Sequence, residues 1–251
     1  AFRRTLEVAA ARQVPLEWEA RLGEAAFEEI KKQKTLIDDP ELTRQLQQMA
    51  EPLLTSISDR RWQYRLHLAR SSDPNAFALP GGVIVVHTGL ILEARRPEEV
   101  LGVLAHEIAH VTQQHGMRSL INRAGLVLLI QAAVGDVQGL MGFLVESGAF
   151  LLTQSHSRDH EREADETGWQ YLVDAGLDPS GMLDFFRRIK ELEEKSVIGA
   201  MPTILSTHPA TDHRIAWLEA KWEKEPKKDG FKSPPIDFQV FKERVKKADA
   251  S

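Results

Sequence analysis

Pro97-Glu98-Glu99-Val100-Leu101-Gly102-Val103-Leu104-Ala105-His106-Glu107-Ile108-Ala109-His110 is the stretch around which the rest of the chain organises. A proline at a first helical turn, with two carboxylates behind it, suits a helix N-terminus. Val100, Leu101, Val103 and Leu104 then make the run apolar, as in a buried helix. Residues four apart on a helix lie one above the other. His106 and His110 therefore offer two imidazole nitrogens to one metal ion, and Glu107 sits beside them, placed to take a proton from water. Zinc held by neutral nitrogens with one open position lowers the pKa of its water to about 7. The pattern is the core of a zinc metalloprotease site. It fixes only three of five positions, so a surface helix carrying these residues by chance is the competing reading.

A catalytic zinc normally has three protein ligands. One known solution places a glycine three residues past the second histidine and a third histidine three beyond that. Gln113 and Gly116 stand at those places, and His115 falls on another part of a continuous helix. The next candidate is Ser157-Arg158-Asp159-His160-Glu161-Arg162-Glu163-Ala164-Asp165-Glu166-Thr167-Gly168. Glu161 and Asp165 project from one helix face. One could bind metal while the other accepts the free N–H of a ligating histidine. A charge run is equally the solvated face of a helix laced with ion pairs, and the residues alone leave both readings open.

The order His-Glu-Ile-Ala-His, then Ser-Arg-x-x-Glu-x-x-Ala-Asp, resembles the HtpX/BepA-like zinc metallopeptidases. This gluzincin family also contains the CAAX prenyl endopeptidases. Two further stretches carry the likeness: Asn75-Ala76-Phe77-Ala78-Leu79-Pro80-Gly81-Gly82 before Val83-Ile84-Val85-Val86, and Ser206-Thr207-His208-Pro209 with Arg214-Ile215 downstream. Together they cover roughly residues 60 to 220, and they look most like the soluble BepA/LoiP-type periplasmic members. The resemblance implies a zincin-like catalytic core and one Zn2+ per chain, bound by His106, His110 and Glu161. Glu107 would be the general base, Asp165 would orient a zinc-bound histidine, and Arg214 would brace that region. His208 would stand near the metal, stabilising the transition state or filling the open position in a latent form. The same Ser-Thr-His-Pro turn also reads as ordinary helix capping. Asn75, Ala76, Phe77 and Ala78 would line the substrate cleft as an edge strand, where an extended peptide adds its own hydrogen bonds.

The function so implied is a zinc endopeptidase hydrolysing peptide bonds in unfolded or misassembled envelope proteins. The rival is a chaperone or assembly factor with a latent or gated zinc site. Kinship further implies a periplasmic or membrane-associated location after removal of a signal peptide.

Composition bounds the alternatives. With 251 residues and 42% hydrophobic content, the chain can bury one substantial core. A net charge of −5 gives no electrostatic footprint for nucleic acid. The absence of cysteine excludes disulfides and thiolate-ligated zinc.

The pattern predicts an α+β, predominantly helical chain with a small β-sheet beside the active-site helix. It forms a single metallopeptidase domain: a helical segment over 1–57, a catalytic core over about 58–224 and a surface tail over 225–251. Pro15 and Gly23 are expected to punctuate the first helices, and Asp38-Asp39-Pro40 to cap a helix ending near Leu54. Trp62 to Ala69 alternates like a half-buried strand, and Val83 to His87 is a second strand. The apolar stretch over 124–150 is broken at Gly135-Asp136, so neither piece reaches the ~20 residues of a membrane span. It is expected to be a helical hairpin over the core or an exposed apolar surface that engages membrane or unfolded protein. Residues 196–206 read as a loop able to cover the metal. His67, His87, His115, His156, His160 and His213 receive no role, although His156 and His160 are spaced as a conceivable second metal pair.

Overall fold

The computed structural model describes residues 8–9, 11–124, 156–195, 204, 207–208, 212–226 and 228–250. Its elements are α1 (Leu16–Gln33), α2 (Pro40–Ser56), β1 (Arg65–Ala69), β2 (Ala76–Ala78), β3 (Val83–His87), α3 (Thr88–Glu93), α4 (Pro97–Thr112), α5 (His115–Ala124), α6 (Arg158–Asp174), α7 (Ser180–Lys195), α8 (Asp212–Glu223) and α9 (Phe238–Asp249). This is the helix-dominated α+β architecture expected. Asp39 caps α2 as its position suggested, accepting from the backbone of Glu41 at 2.9 Å and Leu42 at 3.1 Å.

The sheet runs β1-β3-β2, with β1 parallel and β2 antiparallel to the central strand. That position explains why Val83-Ile84-Val85-Val86 is apolar without alternation: both faces of β3 are covered. Val83 and Val85 pack with Phe27 and Ile30 of α1. Ile84 and Val86 belong to the main core with Leu42 and Leu46 of α2 and Leu101 and Leu104 of α4. β1 is shorter than the alternation from Trp62 suggested. Pairing starts at Arg65 opposite Val83, where the partner strand begins.

Two expectations are corrected. Gly23 does not interrupt α1. A Cβ there would lie 1.7 Å from the Pro80 carbonyl oxygen, so glycine serves a close helix–turn approach. The touching turn, Pro80-Gly81-Gly82, holds both glycines at positive φ, 83° and 90°. The segment 225–251 is also more than a surface tail. Phe241 and Val245, four apart on α9, are fully buried in the main core. Arg70 donates to the Ala248 carbonyl at 3.1 Å and Lys242 to the Ala94 carbonyl at 2.7 Å. Burial of two such side chains stabilises by about 1.5–3 kcal/mol each.

The stretch 124–150 beyond Ala124 lies outside the described residues, and with it the expected hairpin and membrane-surface contact. So does the 196–206 loop apart from Ile204. No helix among the described residues is long and apolar enough to cross a membrane.

α4 is buried from Glu98 to Thr112, which accounts for its apolar character on all sides. It packs against α6, α7 and β2. At the crossing with α6, a Cβ on Gly168 would come within 2.9 Å of the Ala105 carbonyl and 3.0 Å of the His106 nitrogen. This glycine lets the helix carrying Glu161 and Asp165 settle directly onto His106.

Candidate metal centre

α4 presents His106 and His110 one turn apart, and α6 presents Glu161 and Asp165 opposite them. Ser157 starts α6 by accepting from the His160 backbone N–H at 3.2 Å. His106 Nε2 lies 3.0 Å from His110 Nε2, and each lies 3.4 Å from a Glu161 carboxylate oxygen. His208 joins them: its Nδ1 is 3.0 Å from Glu161 Oε1 and 3.3 Å from His106 Nε2. All four side chains are buried. Among the described residues they are the one group of three or more His, Asp or Glu side chains able to hold a metal ion.

This donor set fits zinc. Four lone-pair atoms converge with no proton donor among them except whatever the imidazoles carry, so a cation is the natural partner. Ligands at 2.0–2.1 Å in a tetrahedron are separated by about 3.3–3.4 Å; the closest approaches here are 3.0–3.4 Å, and one donor atom from each side chain lies within 4.8 Å of the other three. His106, His110 and Glu161 would hold the ion, with His208 able to provide a fourth donor.

The surroundings fix these side chains. His106 Nδ1 stands 2.9 Å from Asp165 Oδ1. Arg214 donates from Nε and Nη2 to both Asp165 oxygens at 2.7 Å each, and its Nη1 is 2.6 Å from Glu161 Oε2. Burial alone would raise both carboxyls, yet Arg214 and the neighbouring imidazoles hold them below their ordinary values. Burial would likewise lower His106, but Asp165 and Glu161 hold it up at about 9. His110 is pushed well below the usual histidine value by burial and by the neighbouring His156.

Glu107 lies beside the cluster, between β2 and His208. Its Oε2 accepts from the Ala78 backbone N–H at 3.1 Å, and its Oε1 is 3.5 Å from His208 Nε2. Burial raises its carboxyl above the ordinary value, which suits a group that must take and return a proton. β2 is an edge strand. Asn75 and Leu79 hydrogen-bond towards β3, so the alternation turns the backbone of Ala76 and Ala78 outward. Of the four residues expected to line a cleft, Ala78 is the one bonded to Glu107, Ala76 is fully buried and Phe77 leans edge-on against His87.

Sequence reasoning missed His115. α4 ends at Thr112, and Gln114 adopts φ 53°, so the chain turns back and α5 begins at His115. His115 is fully buried, with Nδ1 2.8 Å from His110 Nδ1. The signal that would have found it is a glycine or asparagine at the turn, and the chain has glutamine there. His160 stacks on His115 with centroids 4.3 Å apart, while His156 covers His110 at 4.0 Å. These rings surround the His110–His115 pair; the centroids of His156 and His160 themselves lie 6.3 Å apart, and the two form no metal group among the described residues.

The sequence profile of peptidase family M48 matches residues 37–222. A putative beta-barrel assembly-enhancing protease of Vibrio cholerae serotype O1 is 28% identical over 89% of this chain and 47% of its own length. The mitochondrial metalloendopeptidase OMA1 of Schizosaccharomyces pombe is 29% identical over 92% of this chain and 70% of its own. The metalloprotease LoiP of Escherichia coli K12 is 28% identical over 77% of this chain and 76% of its own. The chain thus spans less than half the length of the beta-barrel assembly-enhancing proteases it matches. The profile takes in α2 through α8 and with them every residue of the buried His-His-Glu-His group, and the chain belongs to peptidase family M48, as a metalloendopeptidase domain whose cofactor is zinc.

Proposed function

We propose that this domain hydrolyses peptide bonds within unfolded or misassembled polypeptides of the cell envelope. The observation that carries the reading is the convergence of His106, His110 and Glu161 beside an intact, buried Glu107. When bound, zinc supplies a Lewis acid that polarises a carbonyl and makes water a nucleophile near neutral pH. Glu107 takes the proton of the attacking water and returns it to the leaving amine. Asp165 and Arg214 keep His106 and Glu161 in register. The outward backbone of Ala78 receives the substrate as an added strand, and its N–H, released by Glu107, becomes one of the partners. The envelope assignment rests on the names of relatives that enhance beta-barrel assembly.

The test is cleavage of casein by the zinc-loaded protein, with zinc content measured alongside. The parent is expected to cleave. Glu107→Gln is expected to keep its zinc and to lose about 10²–10⁴-fold in rate, the usual contribution of acid–base catalysis. Full activity in pure Glu107→Gln protein would remove that residue from the mechanism. Equal suppression of aggregation by both proteins, with no cleavage by either, would favour the chaperone role.

One observation favours a closed resting form. His208 Nδ1 sits among the three ligands, 3.0 Å from Glu161 and 3.3 Å from His106, where it would fill the position a substrate needs. His208→Ala is then expected to raise casein cleavage. A fall of about 10²-fold instead would mark His208 as a donor to developing charge.

A further inference from the structure

We propose that His115 is the positioning residue for His110, accepting its Nδ1 proton and so fixing the tautomer that turns Nε2 to the metal. The inference rests on the reading of His110 as a zinc ligand. Counting protons leads to it. His110 Nε2 faces the cluster, so the one proton of a neutral ligand must sit on Nδ1. That nitrogen is 2.8 Å from His115 Nδ1. Two protonated nitrogens at this distance would repel, so His115 Nδ1 carries a lone pair. A neutral His115 then holds its proton on Nε2, which lies 3.3 Å from Glu163 Oε2. Glu163 is in turn bonded by Arg118 Nη1 at 2.9 Å, which keeps it an acceptor. Every proton along His110, His115, Glu163 and Arg118 therefore has one place to be.

The fold holds this relay in place from several sides. Gln114 at φ 53° reverses the chain between α4 and α5, and Gln114 Nε2 is tied to Glu19 and, at 3.3 Å, to the Ala11 carbonyl. His115 is excluded from solvent and stacked on His160, with ring planes 10° apart. It touches neither the four converging donor atoms nor the face of Glu107. Its effect on the reaction can only pass through His110.

The experiment is zinc affinity by competition with a chromophoric chelator, on the full chain, with the apo fold checked by circular dichroism. Partners of this kind are worth about 10–100-fold in metal affinity. His115→Leu is expected to weaken zinc by that factor with the fold retained. His115→Asn places an amide oxygen where Nδ1 stood and is expected to recover most of the loss. In the cobalt-substituted protein, the visible bands should shift in the leucine variant and return in the asparagine one. Affinity and bands in His115→Leu equal to the parent would overturn the proposal, as would an asparagine variant no better than leucine. Should His115→Leu fail to fold, Glu163→Gln decides the matter: weaker zinc supports the relay, and parental affinity overturns it. A parent that binds no zinc would sink the ligand assignment itself, a different failure.

Discussion

His106 and His110 stand one turn apart on the same helix, yet opposite chemistry backs them. Behind His106 is a carboxylate, Asp165 at 2.9 Å, itself gripped by Arg214 at 2.7 Å. Behind His110 is another imidazole, His115 at 2.8 Å. The first arrangement orients its imidazole with charge and holds His106 up at about 9 against its burial. The second orients by a neutral hydrogen bond and leaves His110 well below the ordinary value, with burial the leading cause. Charge near a dication compensates it, but buried charges must then be paired among themselves. On the imidazole side the charged pair, Glu163 with Arg118, stands one residue further back, and Glu163 is partly exposed. One histidine is thus tied to a network that must stay complete, and the other to a contact that can be trimmed.

The largest test of that difference is the metal-free stability of Asp165→Leu against His115→Leu. Removing Asp165 strips Arg214 of two hydrogen bonds inside the protein, and breaking a buried ion pair costs about 3–5 kcal/mol. Loss of the neutral contact at His115 should cost under about 2 kcal/mol. Urea unfolding in excess chelator measures both. Equal losses would break the comparison.

A second test sharpens the His110 side through pH. Glu19 is buried and accepts a hydrogen bond from Gln114, the residue whose conformation delivers His115. Burial raises its carboxyl from 4.5 to about 7, although Gln114 and Arg61 oppose the shift. The folded protein thus keeps a proton that the unfolded chain has released. Stability is fully present below about pH 4.5 and falls as pH rises towards 7, by of the order of 2–3 kcal/mol. Glu19→Gln retains the acceptor for Gln114 and removes the titration. Its unfolding free energy should therefore match the parent near pH 4 and exceed it at pH 8. Parallel curves across that range would show that Glu19 is not the group responsible.

The two sides also differ in how far the sequence revealed them. Spacing alone puts His106, Glu107 and His110 on one helix, and the run from Val83 to His87 reads as a strand. Glu161 and Asp165 share one face of α6 by spacing, but only their burial against α4, which Gly168 lets approach closely, separates that face from a solvated one. His115 was invisible for a physical reason. A continuous helix would carry it away from His110, and the reversal depends on a left-handed glutamine that no local preference announces. Gly23 misled in the opposite sense: it resembles a helix breaker, and it is there because Pro80 leaves no room for a Cβ. Phe241 and Val245 had the right helical spacing for a buried face, but which surface would receive them is a tertiary fact.

The smallest expected effect lies on the outer face of α6, where the reading of a solvated charge run does hold. Arg162 donates to Glu166 at 3.2 Å with side chains 71% and 47% exposed. Such a pair gains little in water and loses rotamer freedom, so it contributes about 0.3–0.5 kcal/mol. Glu166→Ala should shift the urea midpoint barely at all and leave zinc affinity unchanged, although Glu166 is one residue from Asp165. A loss above about 1 kcal/mol, or weaker zinc, would mean that the outer face also supports the centre. The contrast between Asp165 and its exposed neighbour would then rest on the whole charged segment, and burial would no longer be what separates a metal-bracing carboxylate from an ordinary one.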